Sequence, residues 1–326
     1  MQKQKVMLLF PPEWVPTAPY LALPSLTAVL RQHGHEVLQK DVNIEMYNLF
    51  FSHTFLARVK ERLSVKLREL DTWEETKGLT DNEVEQKECI ETQLSVDMVG
   101  LAEQAEAAIR TVHGEDFYDS DKLEQALNTF REVMRYISAA YYPASLVFYP
   151  MESNLGYRPG VSQEVFTCLE DEQVNVYREV CRQLVIPAIK EEAPTIVGIS
   201  MGTRMQFLCG LTFCKMIKEA FPDIHVTVGG NIITRLREDL LKHERFFTEV
   251  FDSAIMYEGE HALLWLLEAL GGKREWKTVP NLIYREKTGV RVNNEMYTEK
   301  ITELPIPDFD GLPLDSYFVP VRIIPY

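Results

Sequence analysis

Cysteine is scarce in this 326-residue chain, and what there is cannot form a framework. Its five cysteines, Cys89, Cys168, Cys181, Cys209 and Cys214, are odd in number and never fall in a CxxC spacing. That argues against a disulfide scaffold or a cysteine-rich zinc site, and makes reduced thiols in a cytoplasmic protein the expectation. Positive charge is scarce too. Against 49 Asp and Glu there are only 34 Lys and Arg, a net charge of −15, which argues against a protein that holds nucleic acid or anionic lipid on a basic face. No apolar run approaches the ~18 residues needed to span a bilayer. The apolar start in MQKQKVMLLF is cut off by PPEW, which reads as a first buried strand and not as a signal peptide.

Motifs are missing as well. No GxGxxG follows the first strand and no GxxxxGK[ST] occurs, which disfavours a dinucleotide or a nucleoside triphosphate. Without HExxH or a His–carboxylate cluster, a metalloprotease reading lacks its reacting groups. No catalytic residue and no metal ligand is assigned. The histidines are scattered, and His33 and His35, at a helix end, read as surface residues.

What the chain does have is enough apolar sequence for a packed core, with 46% hydrophobic and 25% charged residues. Three textures follow one another. Residues 1–45 read strand–helix–strand: KVMLLF, then the proline-rich PPEWVPTAPY, then LALPSLTAVLRQHG with a C-cap at Gly34, then HEVLQKDVNIE. Residues 46–192 repeat apolar positions every three to four residues and read as amphipathic helices, capped at Asp81 or Asp121. From 193 to 272 strand and helix alternate again. The fold expected is therefore α/β: a doubly wound, Rossmann-like, five-stranded mostly parallel sheet with a large all-helical insertion between strands two and three. Residues 273–326 read as a hairpin turning at Lys287–Thr288–Gly289, a proline-punctuated linker, and the start of a strand in VPVRIIPY.

In an open α/β sheet ligands bind beyond the carboxyl ends of the strands. The loops there run from Pro11 to Tyr20, Ser200 to Gln206, Gly229 to Asn231 and Tyr257 to Glu260. Gly229 and Gly230 allow close approach of a flat or bulky ligand. Ser200 and Thr203 offer hydroxyls. Glu258 and Glu260 either meet a ligand or simply favour the following helix through its dipole.

Taken in order, PPEWVPTAPYLALPSLTAVLRQHGHEV, VGISMGT, VTVGGN, YEGE before an apolar helix, and LPIPDFDGLP make the chain resemble the cobalamin-binding domain of class B radical SAM enzymes. The resemblance covers residues 1 to about 44 and 193–326. It implies a module that holds cobalamin for a partner radical SAM domain of the same protein, in an enzyme resembling a methyltransferase. The positions it singles out are Pro12, Glu13, Trp14 and Tyr20 facing the corrin, and Ser200, Met201, Gly202, Thr203 and Gln206 after the third strand. Gly229, Gly230 and Asn231 would lie along the nucleotide tail, and Tyr257, Glu258, Gly259 and Glu260 near its end.

Carriers of the methionine-synthase type ligate cobalt with the histidine of a DxHxxG motif, which this chain lacks after its first strand. Cobalamin without a histidine axial ligand is therefore expected, with Trp14 either under the cobalt or part of the core or surface. CxxxCxxC is absent too. The 4Fe-4S cluster and S-adenosylmethionine are thus expected only in a C-terminal part beyond Tyr326, and this portion is not expected to turn over alone. Two other readings stand beside this one: a cobalamin-based sensor, and a Rossmann-like domain for another ligand.

Overall fold

The computed structural model describes residues 3–148, 153–293 and 296–318. Its strands are β1 (Lys5–Phe10), β2 (Glu36–Asp41), β3 (Ile196–Ser200), β4 (His225–Gly229), β5 (Ser253–Ile255), β6 (Leu282–Glu286) and β7 (Gly289–Val292). Helices in chain order are α1 (Ala22–Gln32), α2 (Val42–Phe50), α3 (His53–Thr76), α4 (Asp81–Leu94), α5 (Met98–His113), α6 (Ser120–Ala140) and α7 (Ser162–Glu170). They continue with α8 (Val176–Val180), α9 (Ile186–Glu192), α10 (Met205–Ala220), α11 (Asn231–Arg235), α12 (Arg237–Lys242), α13 (Arg245–Glu249) and α14 (Glu260–Leu270). The strand expected over VPVRIIPY, residues 319–326, lies outside the described residues. No described helix is long and apolar enough to cross a membrane.

The chain divides into two compact units. One takes in residues 3–14, 19–43 and 177–313, and the other 15–18, 44–176 and 314–318. The first is the sheet unit. Its strand order is β2-β1-β3-β4-β5-β6-β7. β1 to β5 run parallel, while β6 pairs antiparallel with β5, and β7 with β6. The five-stranded expectation is thus corrected to a mixed sheet of seven strands among the described residues. The hairpin does not stand apart: it closes the edge of β5, which is only three residues long, and buries Leu282, Ile283 and Tyr284 in doing so.

The two-residue alternation of a strand gives the sheet two covered faces. Val6, Leu8 and Phe10 share one core cluster with Leu23, Val29 and Leu30 of α1 and with Leu263, Leu266 and Leu267 of α14. Met7 and Leu9 on β1, and Val197 and Ile199 on β3, alternate to the other face and are equally buried. There α10 packs against β3 and β4. Burial on both faces explains why KVMLLF and IVGIS are continuous apolar runs, whereas the edge strand β2 alternates.

The all-helical insertion is also revised. Its last stretch, α8, a π-helical turn (Cys181–Val185) and α9, belongs with the sheet unit from Tyr177 onward. Cys181, Val185 and Ile189 are buried, the turn packs on α10, and Lys5 pairs with Glu192 at 2.7 Å. The segment VNIE, read as part of the second strand, begins α2. LREDLLKHERFFTE forms α12 and α13 and the residues around them, not one helix. His35, expected at the surface, is 7% exposed and accepts a hydrogen bond from the Gln4 N–H at its Nδ1, 3.3 Å away.

In the second unit α6 buries Phe130, Val133, Met134 and Ile137 at helical spacing. Phe130 stacks on Phe51 with ring centres 4.4 Å apart, beside Phe148 at 4.9 Å and Phe318 at 5.5 Å. Arg62 of α3 ties three carbonyls together, donating to Ala140, Glu172 and Gln173 at 2.8, 2.8 and 2.9 Å. The caps are Thr80, in a capping box with Glu83, and Asp119. Asp81 and Asp121 sit just inside their helices instead. One or two residues inside the helix, these carboxylates are no longer at the N-cap, whose side chain accepts from the N–H groups of the first turn.

Candidate functional site

A cavity of about 250 Å³ opens at the carboxyl ends of β1, β3, β4 and β5. It straddles the junction of β1 and β3, where the strand order reverses and where open α/β sheets place their ligands. Its floor is a row of register partners across three strands: Leu8 opposite Gly198, and Gly198 opposite Thr227. A Cβ at Gly198 would lie 3.0 Å from Leu8 Cδ2 and 3.8 Å from the Thr227 methyl. Leu23 and Leu26 of α1, Leu263 of α14 and Ile255 of β5 form the walls. Polar groups gather at the mouth: Ser200, Asn231, Tyr257, Glu258 and Glu260, with backbone at Gly229, Gly230 and Gly259.

Of the residues singled out from sequence, nine therefore line one cavity: Tyr20, Ser200, Gly229, Gly230, Asn231, Tyr257, Glu258, Gly259 and Glu260. The other seven lie around it. Met201 is fully buried, its sulfur against Gly210. Gln206 is fully buried too and works as a tie. Its Oε1 accepts from the N–H groups of Gly202 and Thr203 at 2.7 and 3.2 Å, and its Nε2 donates to the Pro11 carbonyl at 2.6 Å. Gly202 and Thr203 are thus held by Gln206, and the buried Thr203 hydroxyl has no hydrogen-bond partner among the described residues. Glu13, 5% exposed, accepts a hydrogen bond from the Tyr177 hydroxyl. Pro12 is buried beside it. Trp14 stands edge-on to Tyr20 at 5.0 Å, and Tyr20 stacks on Phe10 at 4.9 Å. This aromatic cluster fixes Tyr20, whose hydroxyl lies 3.1 Å from the place a Gly202 Cβ would occupy. Of the expected loop, residues 15–18 belong to the other unit.

The mouth has a clip that sequence reading missed. Asn281, 1% exposed, donates from Nδ2 to the carbonyls of Glu258 and Tyr297 at 3.1 and 2.9 Å and accepts from the Tyr297 N–H at 3.0 Å. Glu299 accepts from the His261 N–H at 2.9 Å, faces His261 Nδ1 at 2.7 Å, and gives its own N–H to the Glu258 carboxylate. Burial pushes the Glu260 carboxyl up, with Glu299 and Glu258 adding to the shift. The missed lining residues carry faint signals. A glycine inside a buried strand run, as at Gly198, marks a close approach, and Thr227 is the polar residue in VTVGG. Nothing local marks Asn281 or Glu299. Among the described residues no group of three or more His, Cys, Asp or Glu is placed to hold a metal ion.

Thr227 turns its hydroxyl away from the floor. It accepts from Ser253 Oγ at 2.9 Å, and Ser253 Oγ faces His225 Nε2 at 2.9 Å. Burial pushes the His225 imidazole down to about 4, against the opposing pull of Asp252. The folded chain keeps this histidine neutral below the ~6.5 at which the unfolded chain protonates it. Its contribution is therefore complete above pH ~6.5 and is lost as pH falls toward about 4. The slope should amount to roughly 2–3 kcal/mol over that window. Urea midpoints at about pH 7 and pH 4.5 should fall further apart for the wild type than for His225→Gln. Equal differences would remove this assignment.

No family model matches the chain. An uncharacterized methyltransferase of Pyrococcus horikoshii is 32% identical over 132 residues, which are 40% of this chain and 27% of that protein. The chain thus aligns with about a quarter of its relative's length. Two solved structures are distantly similar. One is the radical S-adenosylmethionine methyltransferase TsrM of Kitasatospora setae with cobalamin and a [4Fe-4S] cluster bound: 13% identity, 94% of this chain, 32% of that one, TM-score 0.39. The other is the cobalamin-dependent S-adenosylmethionine radical enzyme OxsB with aqua-cobalamin and S-adenosylmethionine bound: 14% identity, 97% of this chain, 26% of that one, TM-score 0.46. This chain is similar to part of a protein described as a methyltransferase, and distantly similar in structure to cobalamin-binding radical S-adenosylmethionine enzymes.

Proposed function

We propose that the sheet unit binds cobalamin, without a histidine axial ligand, as the cofactor-holding module of a radical SAM methyltransferase. The observation that carries the reading is the cavity itself. It lies at the switch point between β1 and β3, with an apolar floor of Leu8, Gly198 and the Thr227 methyl beneath a rim of hydroxyl, amide and backbone groups. The residues present fit the group. A glycine in mid-strand opens space that a larger side chain would fill, and no histidine is among the residues that line the cavity. The cofactor's nucleotide tail would enter past Gly229, Gly230 and Asn231, and the loop around Pro12, Glu13, Trp14 and Tyr20 would face the corrin.

When bound, cobalamin supplies the methyl-carrying chemistry. The chain's own residues bind, orient and exclude water. Gln206 keeps the loops after β1 and β3 in one register, the Phe10–Trp14–Tyr20 cluster holds Tyr20 at the rim, and the leucines of α1 and α14 keep the tail's pocket dry. The iron–sulfur cluster and S-adenosylmethionine would be held by a radical SAM domain of the same protein.

Incubating the purified chain with hydroxocobalamin and desalting it should leave a coloured protein of near-equal stoichiometry. A colourless protein overturns the proposal. In the cob(II)alamin form, electron paramagnetic resonance of protein labelled with 15N-histidine should match that of unlabelled protein; a change in nitrogen superhyperfine splitting on labelling would overturn the axial-ligand part.

A further inference from the structure

The floor of the cavity has a chemistry of its own. Three strands contribute to it, and none of the three floor residues presents a free polar group. Leu8 offers only methyl groups, and Gly198 has no side chain. Thr227 contributes its methyl, because its hydroxyl is occupied by Ser253, donating to the Ser253 carbonyl at 3.3 Å and accepting from Ser253 Oγ at 2.9 Å. The Leu26 and Leu263 walls are apolar as well. A group that reaches the bottom must be flat enough to lie over Gly198, and it finds no donor or acceptor there. An exocyclic amine carried to this depth would lose its water and gain no hydrogen bond.

We infer, with cobalamin taken as the ligand of this site, that the floor selects the lower base of the cofactor: a methylated, apolar bicycle such as dimethylbenzimidazole is accepted, and a purine such as adenine is disfavoured. Gly198 and the Leu8 and Thr227 methyl groups are the specificity-determining positions. The penalty of one unsatisfied buried polar group corresponds to about a tenfold or greater loss of affinity for the adenine-bearing cobamide.

The test compares three corrinoids on the purified chain by visible-spectrum titration: cobalamin, the cobamide with adenine in place of dimethylbenzimidazole, and cobinamide, which has no base. Cobalamin should bind at least about tenfold more tightly than either of the others. Gly198→Val, which fills the floor, should bring cobalamin down to the level of cobinamide. Leu26→Gln changes a half-buried wall position at less risk to folding, and should narrow the gap between cobalamin and the adenine cobamide. Equal affinity for cobalamin and the adenine cobamide, both tighter than cobinamide, overturns the selectivity while leaving cobalamin binding intact. Equal affinity for all three overturns the placement of the base in the cavity. If none of the three binds, cobalamin binding itself is refuted.

Discussion

Gly230→Ala should cost the sheet unit about 3 kcal/mol or more and abolish the corrinoid retention proposed above. Gly230 has a φ of +99°, a region that side-chain-bearing residues rarely enter. The backbone angle is the smaller part of the effect. A Cβ there would lie 2.3 Å from the Met201 carbonyl oxygen and 2.7 Å from its carbon. Both are backbone atoms of the loop after β3, so no rotamer change relieves the overlap. The same loop is bonded back across the contact, since the Met201 N–H donates to the Gly229 carbonyl at 2.8 Å. One of the two loops must move, and both border the cavity mouth. A melting-temperature drop on the order of 6–12 °C is expected from that cost. Gly34→Ala is the control. Its φ is +84° but a Cβ would meet nothing within 4 Å, so only the conformational cost of about 1 kcal/mol applies. Equal drops for the two variants would show that the Met201 contact does not matter.

Gln206→Leu should be nearly as damaging, about 3 kcal/mol, through hydrogen bonding and not volume. The substitution keeps a buried side chain of similar size but strands the Gly202 N–H, the Thr203 N–H and the Pro11 carbonyl at once. Urea denaturation gives the stability, and amide hydrogen exchange gives the location. The Gly202 and Thr203 amides should exchange at least about tenfold faster, while amides in the centre of β4 change only with global stability. Gln206→Glu separates the halves of the tie. A carboxylate still accepts from both N–H groups but has no proton for the Pro11 carbonyl, so the loop after β3 should stay protected while the Pro11 side loosens. Unchanged exchange at Gly202 and Thr203 in Gln206→Leu would rule out the tie.

Much of the sheet was legible because burial on both faces writes an unbroken apolar run, as in KVMLLF and IVGIS, and because glycines ended strands and helices in the right order. The loops at the strand ends could be placed for the same reason. Three things were not legible. The hairpin was recognised, but its docking on β5 depends on Leu282, Ile283 and Tyr284 finding a strand that lies beyond the whole of α14, and local pattern carries no such distance. The tail of the helical region looked like the rest of it, although Cys181, Val185 and Ile189 are buried with the sheet unit. Within the site, Gln206 could be chosen as polar and near a strand end, but its role as a buried tie needs the Pro11 carbonyl 195 residues earlier in the chain. Asn281 and Glu299 were invisible because an asparagine in PNLIY and a glutamate in YTEK look like ordinary turn and surface residues.

The clip made by Asn281 and Glu299 has a mechanical meaning. Residues 297–299 are fastened to the Glu258–His261 corner by bonds running in both directions, from side chain to backbone and from backbone to side chain. Farther along, Asp308 is held by Arg31 at 2.8 Å and by the Pro24 carbonyl at 3.0 Å, both on α1. The stretch after the hairpin is therefore anchored at two points, one on each of the helices that wall the cavity. A displacement of this stretch would be felt at the first turn of α14 and at Pro24 and Arg31 of α1, the two helices that wall the cavity.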